Sequence, residues 1–233
     1  MGRLEHLLQP CSGGNSRIAP AVCPDMKNME QISIEQLQVS QLEEATEVLV
    51  HAFSQKLDPS ATLRERRKEE RINKAVFGFM LKHLPGVVLV AKKDNRIIGV
   101  MRMAEWPRCQ VSLFHLLKLL PSIFFEMRSM APHMLKRRLI AYRKDPKKHH
   151  WHLAPIGVVP ELQKQGIGMQ LLTKFCEKVD AANAPAYLET DTLDNVRLYQ
   201  RFGFLVTGET RVSGVRFWLM WRQPHGNGSS RSP

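Results

Sequence analysis

The 233-residue sequence lacks any apolar run long enough to cross a membrane. A transmembrane helix needs about 20 consecutive apolar residues, and the longest apolar stretch, residues 113–125, is interrupted by Lys118 and Pro121. Residues 1–31 also lack the apolar core of a secretory signal. They are rich in Gly, Ser, Pro and Asn, which predicts a disordered tail, with Met29 as an alternative start.

Paired cysteines are also missing. The chain has four cysteines, without a CxxC pair and too sparse for a disulfide framework, so we predict a reducing, cytoplasmic location. Cys176 falls on an apolar helical face and is predicted to lie in the core. The closely spaced His149, His150 and His152 lack the spacing of a closed zinc site and have no cysteine pair beside them, so no bound metal is predicted.

Acidic residues are few, since 22 of them oppose 34 Lys and Arg and leave a net charge of +12. Nine basic and two acidic residues lie in residues 111–150, which we call the basic segment and expect to be helical, with breaks near Pro121 and Pro132. Such a positive charge attracts a CoA phosphate, an anionic substrate, nucleic acid or a lipid surface. The alternative is that these residues form a solvated helical face. Aromatic residues do not interleave with the basic run, so nucleic acid is not predicted, and membrane contact is not favoured.

Helical and strand patterns alternate along residues 32–223, which predicts one domain of the α/β or α+β class with a mixed sheet. Ser40 and Glu43 form a capping-box pattern at the first helix. Residues 224–233 are predicted to be a disordered tail. The predicted elements are an edge strand at 32–39, helices at 40–54 and 64–84, a hairpin at 87–106 turning at Asp94-Asn95, a strand at 151–159, a helix at 166–182, a strand at 186–191, a helix at 195–202, and a hairpin at 204–222 turning near Ser213-Gly214.

The strand 151-WHLAPIGVVP-160 carries a proline in its middle. Pro155 cannot donate to a strand ladder, so we expect a bulge or a local splay there. A splay leaves backbone N–H and C=O groups that an extended ligand can pair with.

Two glycines follow in 163-QKQGIG-168, at the predicted start of a helix. Gly166 and Gly168 permit close backbone approach, and a helix start offers N–H groups and partial positive charge to a phosphate or pyrophosphate. A Walker A loop is excluded because Met169-Gln170 follows, and a dinucleotide fingerprint is excluded because Leu171 stands at the third glycine position. Coenzyme A, with an extended arm and a pyrophosphate, has the required shape.

Two motifs carry a family resemblance. Gln163-x-x-Gly166-x-Gly168 after a strand resembles the acetyl-CoA signature of the GNAT acetyltransferase superfamily, and 188-LETDTLDNVRLYQRFGF-204 resembles its next motif. Within the superfamily, the sequence is most similar to puromycin N-acetyltransferase and its relatives. The resemblance implies one domain with a mixed, mostly antiparallel sheet, a splayed strand pair and flanking helices.

The resemblance also implies an N-acetyltransferase in which an amine attacks acetyl-CoA directly, with acetyl-CoA as co-substrate and no metal. Tyr199 matches the tyrosine that protonates the leaving thiolate, and Asn195, one helical turn earlier, would contact the pantetheine. Glu189 is the predicted general base, with Glu105 and His152 as rivals. The predicted cofactor-binding residues are Ile156, Gly157, Val158, Val159, Gln163, Lys164, Gln165, Gly166, Ile167, Gly168, Met169 and Asn195.

The acceptor remains open between a small-molecule amine, which we favour, and a protein lysine or N-terminus. A non-catalytic module that binds CoA or nucleic acid is the alternative from another class. The basic segment is expected to form part of the acceptor side. The chain is expected to act as a monomer or a homodimer.

Overall fold

The structure is a computed structural model that describes residues 32–54, 62–109, 146–212 and 214–224. Residues 1–31 and 225–233 of the predicted tails, and residues 111–145 of the basic segment, lie outside the described residues. None of the described helices is long and apolar enough to cross a membrane. The elements are β1 (Ser33–Gln36), α1 (Leu42–Ser54), α2 (Leu63–His83), β2 (Val87–Lys93), β3 (Arg96–Glu105), β4 (Trp151–Val158), α3 (Ile167–Ala181), β5 (Ala186–Thr190), α4 (Leu193–Arg201), β6 (Leu205–Val212) and β7 (Val215–Arg222).

The seven strands form one mixed sheet in the order β1-β2-β3-β4-β5-β7-β6. The β4–β5 pair is parallel, and the other neighbours are antiparallel. Apolar residues of α1 and α2 pack with those of β2 and β3 on one face, the α1–α2 face. Those of α3 and α4 pack with β3, β4, β5 and β7 on the other, the α3–α4 face. The predicted fold class is confirmed, with β1 as the predicted edge strand.

The turn between β2 and β3 lies where the sequence predicts it. Asp94 and Asn95 have φ values of 49° and 62°. Two consecutive positive φ values match the right-handed twist of a two-residue hairpin, and Asp and Asn tolerate this region better than most residues do. The hairpin prediction is confirmed.

The start of α1 differs from the prediction. A 3₁₀ turn at Val39–Gln41 precedes the helix, and the Gln38 N–H donates to Gln41 Oε1 at 3.4 Å. The predicted capping box at Ser40 is therefore wrong, because Gln38 and Gln41, two residues earlier, form the capping box instead. α2 does begin with a capping box, in which Thr62 N–H donates to Glu65 Oε2 at 2.8 Å.

A buried ion pair joins α3, α4 and β7 at one end of the sheet. The Arg222 guanidinium donates to both Asp180 oxygens, at 2.6 and 2.7 Å, and its Nε donates to the Phe202 carbonyl at 2.8 Å. The hydrogen bond to Asp180 raises the pKa of Arg222. Bidentate geometry makes this a strong, directional contact, and it fixes the two helices that carry the predicted cofactor and catalytic residues.

Candidate active site

Strands β4 and β5 diverge in the middle of the sheet. Their parallel pairing runs from Trp151 opposite Ala186 to Leu153 opposite Leu188, and no further β4–β5 pairing follows in the described part of the chain. β4 nevertheless continues along β3 as far as Val158. The predicted splay is confirmed, and it leaves one side of β4 open beyond Leu153.

A β-bulge marks the point of divergence. Leu153 pairs with Met103 and Ile156 with Met101, so β4 contains one residue more than β3 across this interval. The extra residue falls at Ala154 or Pro155, and proline has no N–H to give to a ladder. The proline in the sequence therefore correctly predicted both the bulge and the splay.

The direction of the backbone groups follows from one hydrogen bond. Val159 N–H donates to Ile98 O at 3.0 Å, toward β3. Because successive residues of an antiparallel strand direct these groups to opposite sides, Gly157 also faces β3, whereas Ile156 and Val158 face the splay. The Val159 N–H is thus committed to the sheet, and the Val158 carbonyl accepts from Gln163 Nε2 at 3.0 Å.

Gly157 has a packing reason of its own. A Cβ built on it would lie 2.9 Å from the Ala52 Cβ and 3.1 Å from Leu49 Cδ2. Real Cβ atoms do not approach so closely, so the glycine lets α1 lie directly on the splayed strand. The sequence analysis predicted that Gly157 binds the cofactor, and the structure shows that it also packs against α1.

The glycine-rich turn leads into α3 as predicted. Lys164 and Gly166 have φ values of 63° and 87°, and Gly166 is the N-cap of the helix. Gln170 N–H bonds to the Gly166 carbonyl at 3.0 Å, so the N–H groups of the preceding first turn, residues 167–169, have no acceptor within the helix. A Cβ on Gly168 would meet Val158 Cγ2 at 3.8 Å, an ordinary contact. Protein packing therefore does not require this glycine.

The other residues of the turn divide by exposure. Ile167 is 2% exposed and belongs to the core. Met169 is 42% exposed. Gln165 is exposed and donates to the Glu161 carbonyl at 3.3 Å.

Tyr199 lies on α4, within the α3–α4 face. It is 5% exposed, and its ring packs edge-on against Phe204 at 6.0 Å between centroids. Burial, with a smaller contribution from Asp191, raises the pKa of Tyr199 to about 12. The phenol therefore stays protonated throughout the neutral range. Asn195 is half-buried one turn earlier on the same helix.

Glu189 lies on the opposite face, next to an aromatic residue that the sequence analysis did not single out. Tyr187 is 2% exposed, and its hydroxyl donates to Glu189 Oε1 at 2.9 Å. The His152 ring packs edge-on against the Tyr187 ring at 5.2 Å. The signal that could have identified Tyr187 is the period of two on β5, which puts residues 187 and 189 on one face.

The rival carboxylate is placed elsewhere. Glu105 pairs across the ladder with Trp151, which packs on the α3–α4 face. Its Oε1 lies 2.9 Å from His149 Nε2. The structure thus brings Glu189 and His152 together and puts Glu105 on the other side of the sheet.

Cys176 is 8% exposed and packs in the core, as predicted. Burial raises the pKa of Cys176 to about 11, although nearby Arg222 acts in the opposite direction. The thiol is therefore neutral and unreactive at neutral pH.

Comparison with known proteins places this arrangement among acetyltransferases. A family model described as acetyltransferase (GNAT) family matches residues 45–204, which include β4, the glycine-rich turn, α3, β5 and α4. A solved structure described as histone acetyltransferase HPA2 and related acetyltransferase from Corynebacterium glutamicum is 21% identical, with a TM-score of 0.60, over 84% of this chain and 97% of that one. The PaiA N-acetyltransferase from Thermoplasma acidophilum, solved with coenzyme A, is 14% identical, with a TM-score of 0.51, over 82% and 98%.

Proposed function

Because the chain belongs to the GNAT acetyltransferase family, and is thus an acetyl-CoA-dependent acyltransferase, we propose that its acceptor is a primary amine of a small molecule. The observation that carries the proposal is the divergence of β4 and β5 beside the start of α3. Glu189 lies on β5, one of the two strands that border this opening, and Tyr199 lies on α4, the helix that follows β5. We assign the base to Glu189, on one face of the sheet, and the acid to Tyr199, on the other.

The cofactor would lie along the open side of β4. The backbone groups of Ile156 and the N–H of Val158 face the splay and would pair with the pantetheine arm as an added strand does. The first-turn N–H groups of α3 would hold the pyrophosphate, with the exposed Lys164 adding charge. Asn195 would contact the arm from α4.

The same backbone groups would assist the chemistry. An N–H of Ile156 or Val158 that bonds to the acetyl oxygen would stabilise the negative charge that develops there as the amine attacks. Such a donor is fixed in the sheet before the reaction, so little reorganisation is required.

Proton transfer completes the reaction. Glu189 would accept a proton from the ammonium form of the acceptor, directly or through a water molecule, and the neutral nitrogen would attack the thioester carbon. As the carbon–sulfur bond breaks, Tyr199 would give its phenolic proton to the leaving thiolate. The attacking nitrogen would lose its second proton, which would pass through water to restore the phenol and leave a neutral amide. Burial keeps Tyr199 protonated at neutral pH, so the proton is available. The same burial makes the phenol a weaker acid than an exposed tyrosine.

The surroundings of Glu189 favour a compact acceptor. The carboxylate is half-buried, and the Tyr187 that bonds to it is almost fully buried. A small ammonium ion would reach a half-buried carboxylate more easily than a side chain still attached to a folded surface.

The proposal is tested by measuring free-thiol release from acetyl-CoA against small primary amines, including aminonucleosides, and against basic peptides. We expect turnover on one class of small amine, reduced about 10²-fold or more in kcat by Tyr199→Phe. Affinity for acetyl-CoA and the melting temperature serve as controls, because phenylalanine keeps the ring packing.

Turnover on peptides alone would refute the small-molecule acceptor. Unchanged kcat in Tyr199→Phe would remove Tyr199 from the mechanism.

A further inference from the structure

Three metal-ligating side chains meet near the proposed acceptor side. Cys109 follows β3, whereas His150 and His152 lie at the start of β4. Their ligand atoms all lie within 4.8 Å of one another, and Cys109 Sγ is 3.8 Å from His150 Nε2. The sequence separation of Cys109 and His150 is 41 residues. The three residues come together only in the folded chain. The fold thus brings a cysteine beside the histidines, which the sequence around them lacks.

The His150 ring is oriented as a metal ligand would be. Its Nδ1 lies 2.6 Å from the Lys148 carbonyl oxygen. Because a carbonyl accepts and cannot donate, Nδ1 carries the proton, and Nε2 presents its lone pair toward Cys109. Metal-ligating histidines typically donate their second ring N–H in this way, which fixes the tautomer and the ring.

His150 and Cys109 are buried, and His152 is half-buried. His150 is 0% exposed and Cys109 is 8% exposed. The rings of Tyr187 and Trp221 each lie 5.7 Å from the His150 ring, centroid to centroid. These two aromatic rings pack around the imidazole and hold it in place.

We propose that Cys109, His150 and His152 bind one divalent zinc-class ion. One sulfur and two imidazole nitrogens form a donor set that suits Zn²⁺, and three protein ligands leave a fourth tetrahedral position for a water molecule or another donor. With bonds of about 2.0 to 2.3 Å, ligand atoms lie roughly 3.5 Å apart. The cluster would thus contract by about 1 Å around the ion, and the Cys109 proton would leave to solvent.

The ion would tie together the chain on both sides of residues 110–145. Cys109 is the last described residue before that stretch, and His150 and His152 follow it closely. An ion that binds the folded chain but not the unfolded chain stabilises the folded one by mass action. The ion would therefore act as a structural clamp at the base of the basic segment.

The test uses the full chain, stripped of metal with a chelator and titrated with Co²⁺ as the spectroscopic probe. Cys11 and Cys23 are replaced by serine throughout, so that they cannot contribute a sulfur ligand. We expect one Co²⁺ per chain, with a thiolate-to-metal charge-transfer band that added Zn²⁺ abolishes. Cys109→Ser should remove the band, and His152→Asn should weaken binding at least tenfold.

Two matched variants control for adventitious metal. Cys176→Ser changes another buried cysteine, and His149→Asn changes the neighbouring exposed histidine that bonds to Glu105. Both should bind Co²⁺ as the parent chain does. Zinc should also raise the melting temperature of the parent chain but not of His152→Asn.

Less than about one tenth of an equivalent bound by the parent chain at micromolar Zn²⁺ would overturn the proposal, even if the variants fail to fold. A charge-transfer band that survives in Cys109→Ser would overturn it as well. The contact between Cys109 and His150 would then be a hydrogen bond without a metal.

Discussion

The two sides of the sheet opening are built by different means. The proposed cofactor side consists mainly of backbone groups of residues 156–169, a short continuous stretch with α4 added. The proposed acceptor side consists of side chains from separate strands, with Tyr187 and Glu189 on β5 and His152 on β4. A site built from backbone groups can be recognised in the sequence by a local pattern of glycine and proline. A site built from side chains of separate strands forms only when the strands pair.

The largest effect should follow from a change on the acceptor side. If Glu189 is the base, Glu189→Gln should lower kcat about 10²-fold or more, because glutamine cannot accept the proton. The KM for acetyl-CoA should change little. Steady-state kinetics at saturating acetyl-CoA measure the effect.

The matched control is Glu105→Gln, which removes a carboxylate on the opposite face and should keep normal kcat. If the losses are reversed, Glu105 is the base, and the division of roles between the two faces would be wrong.

The Arg222 contacts that join α3, α4 and β7 can be removed by a single substitution. Arg222→Ala leaves Asp180 and the Phe202 carbonyl without their buried partner, and should cost on the order of 2 to 3 kcal/mol of unfolding free energy. Urea denaturation measures this cost. Arg216→Ala on the same strand removes a half-exposed contact with Glu209 at 3.7 Å and should be nearly neutral. Equal losses would show that burial adds nothing to the Arg222 pair.

Gly168→Ala separates cofactor binding from folding. The new methyl group meets only an ordinary contact within the protein, and alanine favours a helix, so stability should not fall. The same methyl group would intrude where the pyrophosphate is proposed to lie, and the KM for acetyl-CoA should rise about tenfold, or 1.4 kcal/mol. Gly78→Ala in α2 is the control and should leave KM unchanged. Unaltered KM in Gly168→Ala would argue against a phosphate at this turn.

The smallest effect concerns pH and the buried thiol. The pKa of Cys176 is about 11 in the folded chain, against 9.0 as the reference value. Because the folded-state pKa is raised, this contribution to stability is complete below pH 9 and is lost as the pH rises through 11. Wild type should lose about 1 kcal/mol of unfolding free energy from this group between pH 8 and pH 10, and Cys176→Ala should not show this loss. Parallel pH profiles in denaturant titrations would contradict the assignment.

The sequence predicted those features that a single residue or short motif determines. Pro155 predicted the bulge, Asp94-Asn95 predicted the hairpin turn, and Gly166 predicted the start of α3, because each relieves or imposes a local backbone restriction. The predicted N-terminal cap of α1 was wrong, since Gln38 and Gln41 form the contacts that were predicted for Ser40 and Glu43. The Tyr187–Glu189 bond and the approach of Cys109 to His150 could not be predicted, because they depend on strand pairing and on the return of the chain after a long segment.

The pairing of β4 with β5 over only three residues has a consequence for the cooperativity of the sheet. In backbone terms the sheet is two half-sheets, one of β1 to β4 and one of β5, β7 and β6, joined by the register from Trp151 to Leu153. A ligand that pairs with the open edge of β4 adds to the connection where the protein's own pairing stops. Acetyl-CoA would then help to hold the two half-sheets together as well as react. Product release would leave only the three-residue β4–β5 pairing between them.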